Sequence, residues 1–401
     1  DLLLGLEPKD FDVVTDAEPD QVKKVFRNKC RLIGRRFRLA HVYFGRETIE
    51  VATFRGEGEQ TSKRQKDQAG RLIRDNVYGT IEEDVWRRDF TINSLYYRIK
   101  DFSVIDYTGG LDDINKGLIR LIGHPETRYR EDPVRMIRAV RFAAKLGFKI
   151  EEKTEKPIFA LASLLRDVSH ARMFEEVLKL FHSGVGVQVF EKLRHYGLFG
   201  HLFPMTEQAL SVEDPKNNYP SMMVIEALKS TDARIRTGKS VNPAFLFAAL
   251  LWEPLNKRRQ QLLDEGFVPQ DAFYAAASDV LEQQNQYTNI PKRLMGTVKD
   301  IWSLQYRLGL QKPKQIQKTL EHQRFRAAYD FLGVRVAAGE VELKGLFDWW
   351  TQYQELNPVD RVAFNNDLRD RSEKRPRKPR KNRNFYRNRN KNKKFDSEHS
   401  N

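Results

Sequence analysis

KDFDVVT, residues Lys9 to Thr15, places the carboxylates of Asp10 and Asp12 one residue apart. In an extended chain, side chains i and i+2 leave the same face, so both acids reach a pair of divalent cations roughly 3.5–4 Å apart. That geometry serves phosphoryl or nucleotidyl transfer. Two acids at this spacing also suit an Asx turn or a solvated loop, and the neighbouring segments bear on the choice. RLAHVYFGRETIEVATFR (Arg38 to Arg55) reads as a hairpin turning at Gly45: Val42 and Phe44 alternate with polar or small neighbours, and Ile49, Val51 and Thr53 are β-branched. Glu50 leaves the second strand opposite Ile49 and Val51, either toward the metals or into solvent at a sheet edge.

RRDFTINSLYY (Arg87 to Tyr97) passes from charge to apolar positions at Phe90, Ile92, Leu95 and Tyr96, which predicts a helix starting near Asp89. Asp89 is then an N-cap or a catalytic acid. The 56–79 stretch has no clear periodicity and many charges, so a mobile loop is expected there. REDPVRMIRAVRFAAKLGF (Arg130 to Phe148) predicts a second helix, with Pro133 in its first turn and Gly147 at its end. Met136, Val140 and Ala143 should face a core. Asp132, Arg135 and Arg138, spaced by three, form a polar row on another side, which also fits a surface salt-bridge ladder.

KDFDVVT, IEVATFR, RRDFTIN and EDPVRMIRAVRF, in this order, resemble the polymerase β-like nucleotidyltransferases that include tRNA CCA-adding enzymes and bacterial poly(A) polymerases. LIGRRFRLAHVYF (Leu32 to Phe44), the long chain and the basic C-terminus look like the poly(A) polymerase branch. The resemblance covers about residues 1–205. It implies Asp10 and Asp12 as ligands of Mg²⁺ or Mn²⁺ and Asp89 as catalytic, with Asp89 or Glu50 completing the acidic cluster. Arg88, Arg138 and Arg141 match positions that bind the incoming nucleotide, ATP here, and Asp132 with Arg135 match the pair that reads the base. Guanidinium forks suit phosphates, and a carboxylate beside an arginine suits the donor and acceptor edge of a purine. The implied reaction is template-independent addition of AMP to RNA 3′ ends. A CCA-adding enzyme and an RNA-binding protein on an inactive scaffold are the alternatives. Contacts with an RNA chaperone and RNA-degrading machinery are implied only by the resemblance. The family also places a glycine-rich loop ending in arginine before the position of Asp1, so the head is expected to lack its N-terminal part here; such a loop offers backbone N–H groups to a triphosphate.

The expected architecture is a mixed α/β head (1–122), an all-α neck (123–205), a helical body and leg (206–368) and a disordered basic tail (369–401). With 401 residues, 40% hydrophobic content and five tryptophans, the chain has material for packed cores in two to four domains. Cys30 is the single cysteine, which excludes an internal disulfide and fits a reducing cytoplasm. No apolar run approaches the roughly 18 residues of a membrane helix, so no membrane partner is expected. The formal charge of +15 is uneven: Arg371 to Lys394 holds thirteen Lys or Arg against one acid, leaving only +3 elsewhere. Such a segment buries too little surface to fold alone. Its cations suit RNA phosphates, and Phe385 and Tyr386 suit base stacking; a solubilising tail is the alternative. Helical spacing marks Ala171 to Gly184, Val187 to Phe199, Pro243 to Leu255, Asp271 to Gln284 and Phe325 to Gly339, with a boundary between His201 and Pro220. Lys292 to Leu308 pairs basic residues with an apolar stripe, fitting an RNA path or an ordinary packed helix. His41 and His195 lack metal-ligand spacing and receive no catalytic role.

Overall fold

In the computed structural model, residues 2–5, 7–8, 11–34, 38–56, 64–66, 72–75, 77–211 and 222–373 are described. Strands β1 (Asp12–Thr15), β2 (Cys30–Ile33), β3 (Leu39–Phe44) and β4 (Glu47–Thr53) form one mixed sheet in the order β1-β4-β3-β2. The expected hairpin is β3–β4, with Tyr43 opposite Thr48 and Phe44 opposite Glu47. Its two-residue loop opens with Gly45 at a φ of +65°, where a hairpin turn of this length favours glycine. β1 runs parallel to β4 and the hairpin is antiparallel. Alternation makes the two faces chemically different. Ala40, Val42 and Val51 pack with Val22 of helix α1 (Pro19–Phe26) and with Cys30 in a small core, while His41, Tyr43 and Glu50 leave the other way.

Two expectations about the next segment are corrected. The 56–79 stretch is not simply a loop: β5 (Arg64–Lys66) and β6 (Leu72–Asp75) pair antiparallel within it. Helix α2 (Ile81–Arg87) follows, its start fixed by a capping box between Thr80 and Glu83. No long helix begins near Asp89; residues Thr91–Asn93 make one 3₁₀ turn and the chain enters the hairpin of β7 (Tyr96–Arg98) and β8 (Ser103–Ile105). Tertiary pairing overrides the helical spacing. Phe90 bridges Leu121, Thr91 N donates to Arg120 O at 3.0 Å, and Ile122 N donates to Asp89 O at 2.9 Å.

Helix α3 (Gly110–Lys116), strand β9 (Leu118–Ile119) and helix α4 (Pro125–Glu131) lead into α5 (Val134–Leu146). Helix α5 matches the expected helix from Val134 on, but Arg130 and Glu131 belong to α4 and Pro133 is the N-cap and not a first-turn residue; Gly147 closes α5 at a φ of +69°, the left-handed conformation glycine tolerates. Its buried face holds Val134, Met136, Ile137, Ala139, Val140 and Ala143. Each larger member contributes about 1.5–3 kcal/mol of hydrophobic stabilisation. β10 (Lys149–Ile150) pairs with β9, and α6 (Glu152–Leu161), α7 (His170–Phe181) and α8 (Gly186–His195) complete the surroundings of α5.

Everything beyond is helical among the described residues. The expected helices are present, although the Pro243 to Leu255 segment divides at Leu251 into Pro243–Leu250 and Trp252–Asp264. One core runs from Phe90 to Val334. It includes Leu202, Phe203 and Leu210, so the His201 to Gln208 half of the expected boundary is helical and packed; residues 213–220 lie outside the described residues. A second core gathers Leu304, Leu308, Phe325, Trp350 and Tyr353. No helix among the described residues is long and apolar enough to cross a membrane. The tail from residue 374 onward lies outside the described residues.

Candidate active site

Register builds the first wall of the site. Asp12 is the partner of Glu50, Glu50 of His41, and His41 of Arg31, a row crossing all four strands. Directly paired residues share a face, so this row stands on the side away from α1. His41 Nε2 lies 3.1 Å from Glu50 Oε1. The sequence reading gave His41 no role; its place opposite Glu50 in the hairpin was the available signal. Asp10 lies outside the described residues.

This face opens into a cleft of about 1110 Å³, lined on the sheet side by Phe11, Asp12, His41, Tyr43, Thr48 and Glu50. Across from it stand Arg88, Asp89, Asn93, Arg138, Arg141, Phe142 and Lys179. Four cations, with Asp89 among them, therefore confront the two acids Asp12 and Glu50. The segment between α2 and the 3₁₀ turn supplies Arg88 and Asp89, α5 supplies the two later arginines, and α7 supplies Lys179, which the sequence does not single out.

Asp89 is not a helix N-cap, since the cap of the Thr91–Asn93 turn is Phe90; its carboxylate instead braces the local backbone and pairs with Arg138. Its Oδ1 accepts from Phe90 N at 2.9 Å and Asn93 Nδ2 at 3.2 Å, while Oδ2 receives Nε and Nη2 of Arg138, both at 2.6 Å. Arg138 and Arg141 both lie over the Phe142 ring, 5.3 and 4.8 Å from its centroid. Arg141 Nε is buried and finds no hydrogen-bond partner among the described residues. Burial and then the like charge of Arg138 lower the Arg141 pKa. A guanidinium stays protonated regardless, so this one is suited to an anion from solution.

Arg88 is held by Asp84 and Tyr96: Nε lies 3.2 Å from Asp84 Oδ2 and 2.9 Å from the Tyr96 hydroxyl. Burial, foremost, pushes the Tyr96 pKa up, so the phenol remains protonated and donates to Asp84. Arg128, a residue the sequence reading missed, secures the backbone of the same segment. Its Nη2 donates to Arg87 O at 2.9 Å and Arg88 O at 2.6 Å, and Nε donates to Ile122 O at 3.2 Å.

Asp132 and Arg135 do not line the cleft. Arg172 grips Asp132 with both tines, at 2.9 and 2.7 Å, and Arg135 Nη1 donates to Arg128 O at 2.7 Å and Glu131 Oε2 at 3.2 Å. The expected polar row is thus no ladder: Asp132 is the C-cap of α4, outside α5, and each of the three residues pairs with another element.

Asp12 and Glu50 are hard oxygen donors on adjacent strands, the ligand chemistry of Mg²⁺ and similar cations. Among the described residues, no group of three or more His, Cys, Asp or Glu stands ready as a metal cage. Asp10 is the further donor the sequence offers. The residues present therefore fit a divalent cation bound by few carboxylates, with waters and substrate phosphates completing its shell.

An acidic mixed sheet facing arginines from following helices defines a nucleotidyltransferase head joined to a helical remainder. The whole fold resembles a solved structure titled "tRNA-processing enzyme (apo form 2)", with a TM-score of 0.60 and 21% identity over 92% of this chain and 93% of that one. Family models match in chain order: "Poly A polymerase head domain" over residues 1–120, "Probable RNA and SrmB- binding site of polymerase A" over 147–210, and "Polymerase A arginine-rich C-terminus" over 265–384. The chain is 51% identical to Poly(A) polymerase I of Salmonella typhi over 94% of its own length and 83% of that protein. It is 37% identical to the CCA-adding enzyme of Bacillus subtilis, over 48% of this chain and 47% of that protein. The chain belongs to the poly(A) polymerase family.

Proposed function

We propose that this protein adds AMP from ATP to RNA 3′ ends without a template. Family membership supports the activity, and the observation that carries the site is the cleft joining the Asp12–Glu50 face to Arg88, Arg138 and Arg141. The RNA 3′-oxygen bonds to the α-phosphorus, the bond from that phosphorus to the β-phosphate bridging oxygen breaks, pyrophosphate departs in line, and the hydroxyl proton passes to solvent. Arg88, Arg138 and Arg141 hold the triphosphate, and their fixed charges meet the negative charge that develops on the leaving group. Asp89 keeps Arg138 in place through its two bonds. Asp10 and Asp12, with Glu50 beside them, would hold Mg²⁺ or Mn²⁺, which when bound lowers the pKa of the attacking hydroxyl and neutralises triphosphate charge. Asp132 and Arg135, which stand outside the cleft, would read adenine in this scheme only where the base reaches past the cleft and Arg172 and Glu131 share or release their hydrogen bonds.

The head (1–122) carries the chemistry, the neck (123–205) the nucleotide and RNA contacts, the body and leg (206–368) support them, and the tail (369–401) binds RNA. Buried, unpaired Cys30 suits a cytoplasmic location. The family resemblance supports an RNA chaperone and RNA-degrading machinery as partners, which co-purification of the full chain tests. The activity is tested with generic RNA, Mg²⁺ and one nucleotide at a time. A long tail with ATP alone is expected. Limited CTP-then-ATP addition to tRNA would identify a CCA-adding enzyme instead, and absence of pyrophosphate release would leave an RNA-binding protein.

A further inference from the structure

We propose that Asp84 is a positioning residue that aims Arg88 at the triphosphate and ties it to the strand bearing Glu50; this rests on the cleft being an ATP site. Asp84 sits on α2 with only 7% of its surface exposed. A buried carboxylate is costly unless its lone pairs are filled, and here both oxygens are. Oδ1 accepts from Arg55 N at 2.9 Å, two residues beyond the end of β4. Oδ2 accepts from the Tyr96 hydroxyl and from Arg88, whose Nε and Nη2 stand 3.2 and 3.1 Å away.

The consequence for Arg88 is geometric. One edge of its guanidinium is committed to Asp84, and its central carbon lies 4.9 Å from the centroid of the Tyr96 ring. The side chain nevertheless keeps 37% exposure at the cleft. A freely rotating arginine loses rotamer entropy when it grips phosphate; one already pinned loses less, so the triphosphate binds more tightly. Because the same carboxylate anchors the backbone after β4, the distance between Arg88 and the acidic sheet face is set by direct bonds, not by loop packing.

A double-mutant cycle on the full chain tests this, reading ATP binding by calorimetry with Mg²⁺ and tailing kinetics side by side. Asp84→Asn should weaken ATP binding and raise the ATP KM about tenfold with a smaller change in kcat. In an Arg88→Ala background the same substitution should change ATP binding by less than about twofold, because the effect passes through Arg88. Tyr96→Phe, which removes one hydroxyl, should show the same dependence on Arg88 at about threefold, and it carries the test if Asp84→Asn does not fold. Equal losses with and without Arg88 would overturn the proposal, as would an unchanged KM in Asp84→Asn. A wild-type chain that binds no ATP and extends no RNA would overturn the proposed function as well, whereas an active wild-type with an additive cycle overturns only the role of Asp84.

Discussion

The two walls of the cleft are made on different principles. The sheet wall is set by backbone pairing: Asp12, His41 and Glu50 reach the cleft because strand alternation and register leave them no other side. The helical wall is set by side-chain bonds: Arg138 is fixed by the Asp89 carboxylate, and Arg128 holds the carbonyls of Arg87 and Arg88. Chemistry on the first wall is therefore separable from stability, and on the second it is not.

The sharpest way to break that contrast is Asp12→Ala. Asp12 is exposed and outside the cores, so tailing should be abolished while the melting temperature moves by no more than about 2 °C. Retained polymerisation would remove Asp12 from the metal site, and a large drop in melting temperature would dissolve the distinction between the walls. Asp89→Ala should damage both properties, because it strands a partly buried arginine. Tailing falls on the order of 100-fold, and chemical denaturation should show a loss of about 2–3 kcal/mol, below the cost of a fully buried pair because 28% of the Arg138 side chain is exposed. An unchanged denaturation midpoint would mean that the Asp89–Arg138 pair is decorative. Arg128→Ala has the smallest expected effect on rate, about tenfold. It should still cost about 1–3 kcal/mol, since Arg87 and Arg88 lose a donor to their carbonyls. Arg128→Lys, able to reach one carbonyl, should recover part of both; no recovery would argue that Arg128 matters only through packing.

The same division explains what could be seen in the sequence. Gly45 announced the hairpin, Pro133 and Gly147 bracketed α5, and the alternation around Glu50 put it opposite Ile49 and Val51, all from residues close in the chain. The segment after Asp89 reads as a helix because Ile92, Leu95 and Tyr96 mimic helical spacing, yet Phe90 bridges Leu121 and Tyr96 bonds Asp84. Those partners lie 31 and 12 residues away and leave no periodic trace. Arg128 was equally hidden: nothing distinguishes it from Arg130 in TRYRED, although only Arg128 donates to the carbonyls of Arg87 and Arg88. Asp132 and Arg135 show the converse, a motif plain in the sequence whose atoms are engaged by Arg172 and Glu131.

Helix α5 is sealed by Met136, Ile137 and Val140 into the core that continues to Val334, and it offers Arg138 and Arg141 to the cleft from the same cylinder. A ligand seated on those guanidiniums is thus mechanically coupled to helices far from any reacting atom. If ATP seats there, it should slow amide exchange around Phe247 and Phe331 as well as around Arg138 and Arg141, making occupancy of the cleft a gauge of how tightly the distant bundle is closed.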